Sequence, residues 1–165
     1  MAPNRTVTEE IGQSRPFRGP VQAAVVTLLR TADEARRYLA RLLEPEGVTV
    51  QQFNVLRILR GAGPAGLPTL EIGRRMVERQ PGVTRLVDRL LAKGLVDRVR
   101  DGQDRRRVVC TIRPRGLELL ERVDGHLERM EAEVGPGLEG DGGARLMAGL
   151  DRLRARLHEV CPGGE

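Results

Sequence analysis

The chain has 165 residues, enough for one domain with a core, and its 39% hydrophobic and 31% charged content fits a globular fold. No apolar run approaches the roughly 18 residues of a membrane-spanning helix, and the opening "MAPNRTVTEEIGQSRPFRGP" has no signal-peptide core, so a cytoplasmic protein is expected. The net charge of +5 is uneven, with +3 over residues 1–68, +7 over 69–116 and −5 over 117–165, which points to a polyanion, nucleic acid first, at the middle of the chain.

Residues 1–19, rich in Pro, Gly and polar groups, read as a flexible N-terminal arm. From Val21, apolar residues at Val21, Val25, Leu28, Ala32, Ala35, Leu39 and Leu42 draw one stripe along a long helix, which Glu44, Pro45 and Gly47 stop. "VTVQQFNVLRILRGAG" supplies a second helix, with Phe53, Leu56 and either Leu59 or Ile58 facing inward and Gly61 and Gly63 as its stop. Two shorter helices follow. The first runs from about Thr69 to Val77 and buries Leu70, Ile72 or Gly73, and Met76. The second runs from about Pro81, placed where its missing N–H does no harm, to Lys93, with Val83, Leu86, Val87, Leu90 and Leu91 inward and Gly94 as its cap.

"LVDRV" and "RVVCTI" are apolar and β-branched, and the "RDGQDR" between them holds an Asp-Gly turn signal, so the pair predicts a β-hairpin. After Pro114, Leu117, Leu120, Val123 or Asp124, Leu127, Met130 and Val134 mark another long helix, and Leu146, Leu150, Leu153, Leu157 and Val160 mark the last. The first helix and the last two carry seven-residue apolar repeats that a small winged domain cannot cover, so they are expected to cover each other across a dimer. The interface candidates are Val21, Val25, Leu28, Leu127, Leu146, Leu150, Leu153 and Leu157; packing within one subunit is the alternative.

Helix, turn, helix, hairpin is the order of a winged helix-turn-helix, whose second helix enters the major groove. Its forward residues here are Gln80, Gly82, Thr84 and Arg85, with Asp88 and Arg89 behind. Arg pairs bidentately with guanine and Gln with adenine, while Thr reaches phosphate or a thymine methyl. Arg89 beside Asp88 and near Asp97 fits an ordinary surface ion pair equally well. Arg105, Arg106 and Arg107 at the hairpin tip repel one another in water and make sense against phosphates or in a narrow minor groove, with Arg106 favoured for the contact.

"QQFNVLRILRGAG", "PGVTRLVDRLLAKGLVDRVRDGQDRRRVVCTIRPRG" and the helices around them resemble the multiple antibiotic resistance regulator (MarR) family over about Val21 to Val160, most densely at the "DRR" wing and at Thr111 and Gly116 after it. The resemblance implies a homodimer built from terminal helices, binding a palindromic operator through two winged lobes, and a small phenolic or other aromatic effector that releases the DNA. It places an effector pocket where the first, second and fifth helices meet, with Tyr38, Phe53 and His126 as candidates; core packing is the alternative for the two aromatics and plain exposure for His126. Pro68 departs from the family's usual Ser or Thr cap, and no cysteine precedes Cys110, so the peroxide sensing of some relatives does not carry over.

The expected fold is therefore mainly α with a small β-hairpin wing. It comprises the arm (1–19), dimerisation helices (20–47 and 114–160), a winged helix-turn-helix DNA-binding lobe (48–113) and a frayed C-terminus (161–165). The expected function is a sequence-specific transcriptional regulator, a repressor, whose partners are double-stranded DNA, a second copy and a small effector. The runner-up is a winged-helix protein-interaction module. Cys110 and Cys161 lack metal-site spacing and no nucleophile, base and orienting group cluster, so neither cofactor, metal nor enzymatic activity is expected.

Overall fold

A computed structural model of the chain describes residues 5–78, 81–100 and 108–161. It is mostly helical, with one small antiparallel sheet. The elements are α1 (Val7–Glu10), α2 (Pro20–Leu43), α3 (Val50–Ala62), β1 (Leu67–Pro68), α4 (Thr69–Arg75), α5 (Val83–Ala92), β2 (Val96–Arg100), β3 (Val108–Ile112), α6 (Pro114–Val134) and α7 (Gly142–Val160). Two compact units divide within α6, one reaching Val123 and one starting at Asp124.

In the first unit, local chemistry sets most helix ends. α2 begins with Pro20 in its first turn, where no intrahelical donor is lost. At α3 the Thr49 hydroxyl accepts the Gln52 N–H and the Gln52 side chain accepts the Thr49 N–H, a closed capping box. The buried Gln52 also accepts from Lys93, the chain's one lysine, whose ammonium reaches the Gly47 carbonyl as well. This ties the end of α5 to the start of α3.

The core runs through Val55, Leu56 and Leu59 of α3, Ile72 of α4, Val87 and Leu90 of α5, Val96 of β2, Cys110 of β3 and Leu120 of α6, each fully buried. Leu59 and Ile72 thus take the inward places that their neighbours contested. The sheet order is β1-β3-β2, with Val96 opposite Ile112, Arg98 opposite Cys110 and Arg100 opposite Val108. Gly116 lets the first turn of α6 sit against this sheet: a Cβ there would lie 2.5 Å from the Leu95 carbonyl oxygen and 2.8 Å from Ile112 Cγ1.

Several boundaries differ from the sequence reading. Regular structure begins inside the arm, because Thr6 and Glu9 form a capping box for α1 and Glu10 pairs with Arg30 of α2. α4 stops at Arg75, since Met76 turns extended, so Val77 lies beyond it. α5 starts at Val83 rather than Pro81: Gly82 is left-handed at φ 99°, a conformation that cannot continue from a helical Pro81 and that suits glycine. α3 runs through Gly61 to Ala62, and β1, pairing Leu67 with Cys110, has no counterpart in the reading, being two residues without a periodic signal. Leu117 and Leu91 lie at the surface, while Gly116, Leu119, Leu120 and Val123 form the buried face of α6, its phase set by the Gly116 contact.

The second unit contains the end of α6, a turn at Gly135–Gly137 and α7. α7 has no buried residue: Leu150 and Leu153 are half-buried, and Leu146, Met147, Leu157 and Val160 are exposed. Among the described residues no helix is long and apolar enough to cross a membrane.

Candidate nucleic-acid interface

The amphipathic pattern of α5 separates its two jobs. Val87 and Leu90 are buried, whereas Thr84, Arg85, Asp88 and Arg89 share the exposed side. Gly82 caps the helix through backbone alone, its carbonyl accepting the Arg85 and Leu86 N–H groups. Gly73 of α4 packs on Val83, where a Cβ would meet Val83 Cγ2 at an ordinary contact distance of 3.5 Å, so the Val83 side chain fills the space between the two helices of the pair.

Asp88, next to Arg89 in the chain, and Asp97 of β2 are both engaged elsewhere. Arg98 of β2 holds Asp88 at 2.7 Å. Arg113, just before α6, donates Nε to Asp97 Oδ2 at 2.7 Å and a second N–H to Oδ1, the forked geometry in which guanidinium suits carboxylate best. This pairing holds the Asp97 carboxyl below the usual carboxylate range and raises Arg113. Among the described residues, Arg85 and Arg89 have no hydrogen-bonding or ion-pair partner, so the surface ion pair weighed for Arg89 is not formed. Arg74 and Arg75, by contrast, both lean on Glu71 within α4. The result is an exposed helix side with two uncommitted guanidiniums beside a sheet whose Arg100 is also exposed.

The sequence-selected residues fare unevenly. Gly82, Thr84, Arg85 and Arg89 come together at the front of α5. Gln80, Arg105, Arg106 and Arg107 lie outside the described residues. Phe53 is 5% exposed on the inner side of α3, with the Arg57 guanidinium 5.8 Å from its ring centre, so it packs in the core. Tyr38 is half-buried on α2, and His126, in the second unit, has Arg129 against its Nδ1. Two surface clefts, one along Leu67–Arg75 and one around Lys93, Arg115 and Arg122, are lined by none of these three. Of the interface candidates, Val21, Leu146 and Leu157 are exposed, and Val25, Leu28, Leu127, Leu150 and Leu153 are half-buried. Cys110 is buried in the sheet with its sulfur 3.8 Å from the Thr69 hydroxyl, and Cys161 is exposed.

Sequence reasoning missed the Asp88–Arg98 and Asp97–Arg113 ties. Both join residues of different elements, and only the adopted register brings them together.

Comparison with known proteins settles the family. A family model described as the MarR family matches residues 46–107. The crystal structure of a MarR transcription factor from Planctomyces limnophilus is 30% identical and matches over 88% of this chain and 100% of its own, with a TM-score of 0.60. The chain belongs to the MarR family. It thereby joins a family of DNA-binding transcription regulators. Among other MarR-family likenesses, the multiple antibiotic resistance protein MarR of Salmonella typhimurium is 33% identical over 86 residues, 52% of this chain, and the match spans only 58% of that relative's length. A mutant S. aureus MepR bound to oligodeoxyribonucleotide is 26% identical over 79% of this chain and 95% of its own, with a TM-score of 0.54. The PcaV transcriptional regulator of Streptomyces coelicolor, in complex with its natural ligand, is 29% identical over 76% of this chain and 89% of its own, with a TM-score of 0.61.

Proposed function

We propose that this MarR-family chain represses transcription in the bacterial cytoplasm as a homodimer that reads a palindromic operator. In this reading α5 lies in the major groove, with Arg85 on a guanine edge or a phosphate and Arg89, Thr84 and Gln80 beside it. The arginines at 105–107 meet phosphates or the adjacent minor groove. The observation that carries the reading is the pair of exposed guanidiniums on α5, Arg85 and Arg89, without a partner among the described residues while Arg98 holds Asp88. An exposed arginine without a carboxylate partner is ready for a phosphate or a base. The MepR complex with oligodeoxyribonucleotide supports the same use of this fold.

The dimer part of the reading is supported by the apolar residues that α7 and α2 leave in water. Leu146 is 49% exposed and Val21 65%. Exposed apolar residues repeated along a helix are characteristic of an interface. The two-fold symmetry of a dimer in turn demands two half-sites about one helical turn apart. PcaV in complex with its natural ligand supports a ligand-binding step in this fold, and the effector in our reading is a small aromatic or phenolic anion that releases the DNA. Tyr38 is the contact we propose for it, because Phe53 is committed to the core.

Selection of bound duplexes from a random pool at near-physiological salt tests the proposal. Enrichment of a palindrome is expected. Arg85→Ala should then cost about 1–3 kcal/mol and relax one position of that palindrome if Arg85 reads a base, or weaken all sequences alike if it holds phosphate. Absence of any enriched sequence would overturn DNA reading and leave the winged helix as a protein-interaction module.

A further inference from the structure

Burial holds the chain on either side of the 77–78 segment, through Ile72 and Met76 before it and Val87 and Leu90 after it. The segment itself has no apolar anchor, Val77 being 83% exposed. Polar ties from two other helices fix it instead. The Val77 N–H donates to Asn54 Oδ1 of α3 at 2.9 Å. The Glu78 carboxylate accepts from Arg36 Nε of α2 at 2.6 Å and from Gln51 Nε2 of α3 at 3.5 Å.

We propose that Arg36 and Asn54 are positioning residues that set the start of α5 relative to α2, and with it the half-site separation a dimer accepts. The inference rests on the dimeric DNA-reading function proposed above. α2 carries the exposed Val21, which that reading covers with a second copy, so a tie from α2 to the segment feeding α5 links the dimer seam to the DNA-facing helix. Half-exposed ion pairs add little to folding stability, and the Arg36 and Glu78 side chains are 49% and 33% exposed. The effect of this one is therefore geometric: it selects one placement of the 77–78 backbone. The DNA is a fine ruler for such a placement, since one inserted base pair moves a half-site by roughly 3.4 Å along the axis and rotates it by about a tenth of a turn.

The test uses the full chain and the palindrome obtained by selection, with its native separation, with one base pair inserted, and as a single half-site. Arg36→Gln should reduce the preference for native over lengthened separation by about fivefold, the scale of one exposed ion pair. Its affinity for the single half-site should stay within about twofold, and its melting temperature within about 2 °C. The charge swap Arg36→Glu with Glu78→Arg should restore the preference, and Asn54→Ala should reduce it as Arg36→Gln does. If Asn54→Ala does not fold, the exposed Arg36 still supplies the test. An unchanged preference in Arg36→Gln, or an equal loss on the single half-site, would overturn the assignment. A wild-type protein with no preference between separations would instead overturn the dimeric reading, and that result is in hand before any variant is made.

Discussion

α5 and α7 are both amphipathic helices with leucines at helical spacing, yet they end in opposite surroundings. α5 buries Val87 and Leu90 completely, because α3 and α4 of the same unit pack on it. α7 buries nothing, and its stripe from Leu146 to Val160 stays half-buried or exposed. A stripe thus states that a cover is required without stating whose. Fully burying an apolar side chain is worth about 1.5–3 kcal/mol, so three such residues left exposed and two half-buried are a large unspent driving force. In our account a second copy supplies what this chain lacks.

The sharpest way to break that contrast is a charge placed in each setting. Leu153→Asp would put a carboxylate into the proposed seam from both copies at once, and should lower dimer affinity by 100-fold or more, roughly 3 kcal/mol, while leaving the winged lobe folded. Sedimentation with far-UV circular dichroism checks this; a variant that stays dimeric would remove α7 from the seam. Leu90→Ala probes the covered stripe and should cost about 2–5 kcal/mol in denaturant unfolding, because the lobe cannot collapse onto the lost volume. A loss under about 1 kcal/mol would mean that α5 is less tightly held than its burial states.

The smallest expected effect concerns the base of the wing. Asp97 has a lowered pKa through its hydrogen bond and charge pairing with Arg113, so the stability it adds is present above the unfolded carboxylate value, near 3.9, and is lost as pH falls through the lower folded value. Between pH 6 and 8 the tie is complete, and pH dependence of DNA binding in that range has another origin. A carbon-detected titration should place the Asp97 midpoint below the ordinary range, and Arg113→Ala should return it there. An Asp97 midpoint insensitive to that change would dissolve the tie.

What the sequence made legible follows periodicity. The long stripes of α2, α6 and α7, the order of the helix pair and the hairpin pairing all arise from patterns that one chain segment carries alone. The misses need information from elsewhere in the fold. The start of α5 was misplaced because Pro81 is a good first helical residue, and the left-handed backbone of Gly82 overrides that preference. β1 depends on its β3 partner, and Leu117 yields its inward place because Gly116 must face the Leu95 carbonyl. At the site, Arg85 and Arg89 were identifiable by position. Their freedom was not, because it depends on contacts between elements, such as the hold of Arg98 on Asp88.

The most direct measurement is native mass spectrometry of the wild-type chain, free and mixed with the selected duplex. Our account predicts a free species of twice 18.2 kDa and a complex holding two chains per palindromic duplex. A single 18.2 kDa chain in solution that also binds the duplex singly at full affinity would contradict it.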